Sequence, residues 1–486
     1  MESVKKNLAY NIVYQILVVI LPLITAPYIS RSLGATAVGV YSYTNSVAYY
    51  FLLFAMLGIS NHGNRCVAAV RDNKEKLNRT FTNIYTLQLI NFLIAIFLYV
   101  LYCTYIVQDN KLIAFLQLLY VTSGLFDVSW LFFGLEQFKI TVTRNILIKL
   151  FTVICMFIFV HHPDDLWKYT LIMSAGTLLS QLYLWKFVRK NIQFCKAKLK
   201  EILENFKPVL ILFIPVLAYS IYRVMDKIML GNMSTYEQVG FYNNAEKIVN
   251  IPMGIITALG TVMLPRMSNI IAKGEKEKSK QYIRLSMKLV TLISSAIAFG
   301  LMGVSNVLAP VFFGQEFIAC STIIELLSVT VFFISWANVI RTQYLVPKHY
   351  DKVYLISTIA GALVNLIINA LLIPQYGANG AAIGTIFAEF SVMFIQMLLV
   401  RKQLPVYKYI FTYVPVLIIG LIMMIMANYI GLILGTNIVS LIAQVVSGAV
   451  FFCVAVIIFL LFSKDELGQI ILSMIKNILK KVHLAK

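Results

Sequence analysis

Charged residues are scarce in this chain. Asp, Glu, Lys and Arg make up 13% of its 486 residues, with 21 acidic against 41 basic side chains, while 60% are apolar. Soluble domains carry about 25% charged residues, so an ordinary water-facing surface is excluded. Cysteine is sparse too. Cys66, Cys103, Cys155, Cys195, Cys320 and Cys453 are scattered without ligand-like spacing, which indicates neither a disulfide framework nor a zinc site. The five histidines, His62, His161, His162, His349 and His483, fall between apolar stretches or near the C-terminus, so no imidazole stands where it could activate a buried nucleophile. No glycine-rich loop runs into Lys-Ser or Lys-Thr, and every connector is too short for a nucleotide-binding domain. Neither enzyme chemistry, nor ATP hydrolysis within the chain, nor a resident cofactor is expected.

What the sequence does have is apolar length. Fourteen aromatic-rich stretches occupy 10–30, 38–60, 81–105, 112–133, 146–160, 168–187, 208–230, 243–265, 286–308, 319–340, 353–373, 378–400, 409–430 and 437–462. Each is near the ~20 residues a helix needs to cross a bilayer. The expected fold is therefore an all-α polytopic membrane protein with about 14 transmembrane helices. Of the 41 basic residues, all but Arg31, Lys111, Lys168, Arg223, Lys227 and Lys247 lie in or beside the N-terminus, the even-numbered connectors and the C-terminal tail. Outward connectors such as His161-His162-Pro163-Asp164-Asp165 and Pro374-Gln375-Tyr376-Gly377 carry none. Basic loops stay inside, so both termini are expected in the cytoplasm. The net charge of +20 then faces anionic lipid, and nucleic acid is not an expected partner. The first stretch follows Lys5-Lys6, contains Pro22 and Pro27 and lacks a small-residue cleavage signature, so it is expected to be an anchor rather than a secretory signal.

The chain also repeats itself. Leu21-Pro22-Leu23 matches Ile214-Pro215-Val216, and Leu33-Gly34 matches Leu230-Gly231. Val38-Gly39-Val40-Tyr41 matches Val239-Gly240-Phe241-Tyr242, and Val128-Ser129-Trp130 matches Ile334-Ser335-Trp336. The spacing between partners grows steadily along the chain, as two related halves with small insertions require. Each half spans six stretches, an even number, so both lie the same way up. The expected organisation is a lobe over 1–205, a second over 206–405, two extra helices over 406–463, and a basic amphipathic tail over 464–486 resting on the inner leaflet. Two like-oriented bundles around a midline cavity suit a transporter that rocks between two openings; a duplication that merely builds a large bundle is the alternative.

Polar residues inside the stretches are the candidates for function, because a charge in hydrocarbon is costly and usually faces a wet interior. In Ala218-Tyr219-Ser220-Ile221-Tyr222-Arg223-Val224-Met225-Asp226-Lys227, positions 223, 226 and 227 share one helix face. Arg223 stands roughly 10 Å below the outer end of its stretch. The trio either lines a cavity or forms an ion pair with a snorkelling Lys227. Glu389 lies at mid-stretch, either protonated and hydrogen-bonded or lining water and binding a cation; Asp127 has the same two readings, with Lys139 or Arg144 as partner. Asn45, Asn365, Asn369 and Thr385 are either interhelical glue or, for Asp226, Asn369 and Thr385 together, oxygens for a monovalent cation. Tyr28, Tyr41, Tyr43, Tyr49, Tyr50, Tyr219, Tyr222 and Tyr242 gather toward the outer halves of the helices that open each repeat, as an interface belt or as rings for sugar faces.

Several longer strings carry a resemblance. Ile20-Leu21-Pro22-Leu23-Ile24-Thr25-Ala26-Pro27-Tyr28-Ile29-Ser30-Arg31-Ser32-Leu33-Gly34, Gly39-Val40-Tyr41-Ser42-Tyr43, and Asp127-Val128-Ser129-Trp130-Leu131-Phe132-Phe133-Gly134-Leu135-Glu136 are three of them. Met225-Asp226-Lys227-Ile228-Met229-Leu230-Gly231, Val262-Met263-Leu264-Pro265-Arg266 and Arg341-Thr342-Gln343-Tyr344-Leu345 are the others. They resemble the Wzx-type polysaccharide-transporter flippases of the multidrug/oligosaccharidyl-lipid/polysaccharide (MOP) exporter superfamily, over about residues 5 to 405. The resemblance implies two six-helix lobes around a cavity and a substrate that is a short oligosaccharide on polyprenyl pyrophosphate. That substrate would move from the inner to the outer leaflet of the bacterial cytoplasmic membrane for capsule or exopolysaccharide assembly. Arg31, Asn45, Tyr222, Arg223, Lys227 and Lys247 are the expected substrate contacts, Asp226, Asn369, Thr385 and Glu389 the expected cation-coupling residues for sodium or protons. A monomer working beside a polysaccharide polymerase and other assembly proteins is the expected functional unit. A cation-coupled multidrug exporter shares the fold but favours acidic cavities. A polymerase would show a large extracytoplasmic loop, an acyltransferase an intramembrane His, and a non-transporting scaffold would have no use for Glu389.

Overall fold

The computed structural model describes residues 2–463 and 468–469, the side chains of residues 2–19 and of Tyr222 excepted. The amphipathic tail expected over 464–486 therefore lies outside the described residues, Gly468 and Gln469 apart. Among the described residues the chain is helical and without a strand. Eleven helical segments among the described residues are long and apolar enough to cross a membrane. Large apolar side chains stay open to the surroundings along them, Phe97 at 62% and Leu432 at 83% for example. Apolar surface on that scale suits lipid and not water, and the chain is a multi-pass membrane protein.

Residues 1–243 and 244–486 form two compact units. The first holds α1 (Glu2–Met56), α2 (Ile59–Val70), α3 (Lys74–Leu101), α4 (Lys111–Leu116), α5 (Leu118–Leu125), α6 (Ser129–Gly134), α7 (Phe138–Phe159), α8 (Leu166–Asn191) and α9 (Leu199–Met233). The boundary falls inside α10 (Tyr236–Ala272). The second unit continues with α11 (Lys276–Phe313), α12 (Cys320–Ile340), α13 (Asp351–Val400), α14 (Val406–Phe411), α15 (Val414–Leu434) and α16 (Ile438–Ser463).

At Gly34 (φ 77°, ψ 172°) and Gly377 (φ 53°, ψ −129°) the backbone leaves helical geometry, so α1 and α13 each hold two helical arms, divided where the sequence reading places a connector. Both bends need positive φ, which glycine adopts without a Cβ clash. Several other boundaries differ from those read off hydropathy. The second stretch stops at Met56, and α2 follows Leu57 (φ 49°) as a separate short helix. The fifth stretch is longer than expected because Lys139 and Arg144 are drawn into the helical α7. The fourth is broken into α4, α5 and α6. Such breaks leave the mean hydropathy unchanged, so the apolar pattern does not reveal them.

In the first unit the core gathers Ile59, Val67, Phe81, Phe92, Trp130, Leu131 and Phe132. Trp130 Nε1 donates to Gln88 Oε1 at 3.1 Å, and Gln88 Nε2 donates to the Gly124 and Asp127 carbonyls at 2.8 and 2.9 Å. Gly63 packs on the indole so closely that a Cβ would stand 2.5 Å from the ring. At the end that carries the basic connectors, Arg79 pairs with Glu201, Asn83 Nδ2 donates to Glu201 at 2.7 Å, and His62 Nε2 lies 2.7 Å from Asn205 Oδ1. These bonds fasten the first turns of α9 to α2 and α3.

In the second unit Trp336 Nε1 donates to Thr291 Oγ1 at 3.0 Å. Trp130 and Trp336 are partners in the sequence repeat, and each indole is satisfied by a polar side chain on the third crossing of its own half. The two helices beyond the repeat, α15 and α16, pack on α11. Ser295 Oγ donates to the Val416 carbonyl at 3.0 Å, and Gln444 Nε2 donates to that of Ala427 at 2.9 Å. Gly420 meets the Phe299 ring and Gly431 the Gln444 amide with no room for a Cβ. Small residues and side-chain hydrogen bonds are what hold helices together where lipid is as apolar as leucine.

Candidate functional site

The α9 cluster is formed as its spacing requires. Arg223, Asp226 and Lys227 lie on one face of a helix that runs on to Met233, which puts Arg223 about 15 Å from that end at 1.5 Å per residue. Asp226 is 2% exposed and accepts a 2.6 Å hydrogen bond from the Tyr242 hydroxyl on α10. Arg223 and Lys227 remain half-buried, and the guanidinium of Arg223 sits 5.9 Å from the Tyr219 ring centre. Two tyrosines of α1 fix this part of α9: Tyr43 donates to Asn232 Oδ1 at 2.7 Å, and Tyr50 to the Ser220 carbonyl at 3.1 Å. Gly231 allows the approach, since a Cβ there would be 2.2 Å from the Tyr43 ring. The result is a face with a buried acid and two half-buried cations, a composition that can meet an anion. The side chain of Tyr222 lies outside the described residues.

Arg31 is exposed three residues before the Gly34 bend. In the second unit, Lys247 is half-buried with Nζ 3.5 Å from Asn244 Oδ1.

The two arms of α13 form an antiparallel pair in the second unit. Gln396 Nε2 donates to Ser357 Oγ at 3.1 Å, Gly361 faces Val392, and Gly384 faces Asn369. Asn365 and Asn369 are fully buried, with Asn369 Nδ2 donating to Asn365 Oδ1 at 3.3 Å. A Cβ on Gly384 would lie 1.9 Å from Asn369 Oδ1, so the amide is pressed against the turn that carries Thr385. The Thr385 hydroxyl donates to the Ala381 carbonyl at 3.0 Å, and Glu389 is 7% exposed one turn further on. Asn369, Thr385 and Glu389 thus share one hairpin; Asp226 belongs to the first unit.

Asp127 lies in the break between α5 and α6, not within a continuous helix, and its Oδ1 accepts the Ser129 backbone N–H at 2.9 Å. Arg144, proposed as its partner, is buried and donates to Gln181 Oε1 at 2.8 Å and Asn145 Oδ1 at 2.7 Å. Local capping explains Asp127 without a cation.

Two groups were not expected from the sequence. Asn45 Nδ2 donates to Gln117 Oε1 at 3.3 Å, and Ser174 Oγ donates to the same oxygen at 3.2 Å. Gln117 is fully buried, yet a neutral amide draws no attention in a hydropathy profile. In the second unit Glu325 of α12 accepts from Ser305 Oγ at 2.7 Å and Asn306 Nδ2 at 3.3 Å. Its position inside an apolar stretch was the available signal. Among the described residues no three His, Cys, Asp or Glu side chains gather as a metal site.

Comparison with known proteins agrees with this architecture. Residues 4–271 match the family described as polysaccharide biosynthesis protein. A protein of Escherichia coli K12 named "Putative O-antigen transporter" is 25% identical over 407 residues, covering 82% of this chain and 97% of its own. Among solved structures, the lipid II flippase MurJ in an inward closed conformation superposes with a TM-score of 0.78 at 16% identity, covering 94% of this chain and all of its own. An inward-facing multidrug resistance MATE family transporter of the MOP superfamily gives 0.59 at 14% identity, covering 80% of this chain and 98% of its own. With a family match over more than half its length, the chain belongs to the polysaccharide biosynthesis protein family, and its fold is that of the flippase and transporter structures it superposes on.

Proposed function

We propose that the chain flips a short oligosaccharide carried on polyprenyl pyrophosphate from the inner to the outer leaflet of the bacterial cytoplasmic membrane, for capsular or exopolysaccharide assembly. The observation that supports this best is the α9 face, where Asp226 is buried against Tyr242 and two cations, Arg223 and Lys227, are half-buried beside it within an apolar helix. An electropositive face at that depth suits a pyrophosphate and disfavours the amphiphilic cations of a multidrug exporter. The names of the Escherichia coli relative and of the lipid II flippase support a lipid-linked glycan as cargo. Alternating access by the two repeated halves moves the headgroup while the lipid tail stays in the bilayer. The chain acts as a monomer and not as an enzyme, with both termini in the cytoplasm and with the polymerase and other assembly proteins as neighbours. Asn369, Thr385 and Glu389 couple turnover to sodium or protons.

The test is deletion of the gene, followed by assay of which leaflet accumulates lipid-linked oligosaccharide. Accumulation on the inner leaflet, reversed by wild type and not by a well-inserted Arg223→Ala variant, is expected. Export by Arg223→Ala at the wild-type level would remove the pyrophosphate contact from the reading; accumulation on the outer leaflet would remove the flippase.

A further inference from the structure

The α9 face accounts for a pyrophosphate and leaves the sugars unaddressed. A second polar group lies in the first unit and carries no charge. Gln117 is fully buried about 9 Å along the helical path from Lys111, and its Oε1 is shared by the Asn45 amide and the Ser174 hydroxyl. Its Nε2 has no hydrogen-bond partner among the described residues. Interhelical glue is complete once Oε1 is satisfied, so the remaining donor is an unspent cost of burying an amide.

The neighbours say what would satisfy it. Tyr120 follows Gln117 by three residues, and Tyr41 and Tyr49 flank Asn45 by four on either side, so each pair shares a helix face. The Asn45–Gln117 hydrogen bond closes the group across the two helices. Asn45, Tyr41, Tyr49 and Tyr120 are all half-buried, which leaves a way in. An amide donor, phenolic hydroxyls and aromatic rings with no ionised side chain among them match the hydroxyls and the apolar face of a sugar ring.

We propose that Gln117 Nε2 and the Tyr120 hydroxyl form a neutral carbohydrate subsite inside the first unit, framed by Asn45 and Tyr49. The subsite rests on the flippase reading. Its specificity is for the glycan and not for the lipid carrier, because none of these four side chains is a cation that would meet a pyrophosphate.

Purified protein in nanodiscs tests this with two probes: the lipid-linked oligosaccharide extracted from host membranes, and the same polyprenyl pyrophosphate without sugar. Gln117→Met and Tyr120→Phe should each weaken binding of the sugar-bearing carrier about tenfold, equivalent to about 1.4 kcal/mol, and leave the bare carrier unchanged. Ser174→Ala, which loosens the scaffold without touching the sugar, should leave the ratio of the two affinities unaltered. Should Gln117→Met fail to fold, Tyr120→Phe decides, since its hydroxyl is removed at the half-buried rim. Equal weakening of both probes, or no weakening of either, would reduce Gln117 to interhelical glue. Wild type that binds both carriers alike would overturn the subsite and leave the pyrophosphate contact standing, whereas wild type that binds neither would overturn the flippase reading and the subsite together.

Discussion

Adding one methyl group at Gly39 should destabilise the first unit severely, and adding one at Gly254 should not. The two ends of the repeated Val-Gly-x-Tyr landmark meet in the structure. A Cβ on Gly39 would lie 1.6 Å from the Tyr236 carbonyl oxygen, and a Cβ on Gly240 would lie 2.1 Å from that of Ala35. In each case the obstacle is the carbonyl four residues before the other glycine, so the crossing is self-similar. Carbon and oxygen in ordinary contact stay at least about 3.2 Å apart, and neither obstacle is a side chain that can swing away. The helices must separate by more than 1 Å, which places the cost at the upper end of the about 1–3 kcal/mol typical of overpacking. Gly254, in α10, has nothing within 4 Å, so alanine there should gain about 0.5–1 kcal/mol of helix preference. Thermal melting of the purified variants in one detergent, followed by thiol exposure, should therefore shift in opposite directions. Gly240→Ala should resemble Gly39→Ala, and the double variant should cost less than the two together, because both methyls open the same crossing. A Gly39→Ala protein that melts at or above wild type would refute the close approach.

Tyr242→Phe removes the 2.6 Å bond to buried Asp226 and should cost about 1–3 kcal/mol in the same melting assay; an unchanged midpoint would mean that the carboxylate is held by other groups alone. For topology, labels belong at Asp164 and Tyr376, both exposed, because Asp165 caps its turn by accepting the His161 and His162 amides and Gly377 needs its positive φ. Impermeant thiol reagents should reach cysteines at both sites from outside the cell, and labelling only after lysis would reverse the orientation. Glu389→Gln should abolish any response of flipping to an imposed sodium or proton gradient in reconstituted vesicles; equal responses in wild type and variant would make Glu389 a structural carboxyl.

The fold was legible because its two strongest signals are long-range averages. Apolar runs marked helices, and the repeat placed a boundary at 205/206 where the compact units divide at 243/244; the shared indole bond, Trp130 to Gln88 and Trp336 to Thr291, accompanies that repeat in three dimensions. What the average could not show was where the backbone turns. Leu57, at a φ of 49°, ends α1 inside a stretch that read as continuous, and Asp127 lies in a break within another. Each depends on one residue's φ or on one side-chain hydrogen bond, below the resolution of a twenty-residue window.

At the candidate site, the sequence exposes charge and hides amides. Arg223, Asp226 and Glu389 stand out because ionised groups are rare in apolar helices, and all three lie within the helices as expected. Gln88, Gln117 and Gln444 are as deeply buried and pass unnoticed, since a neutral side chain barely lowers hydropathy. Only the hydrogen-bond partners separate their roles. Gln88 spends both ends on the protein, its oxygen on Trp130 and its nitrogen on two carbonyls, which is what a structural residue does. Gln117 spends its oxygen twice and its nitrogen not at all. A residue chosen only for packing would gain from an apolar replacement of the same shape, whereas one that meets a ligand keeps a donor that the resting protein leaves open. That asymmetry is absent from any one-dimensional pattern, and it is why the cationic face could be read from spacing while the neutral one required the structure.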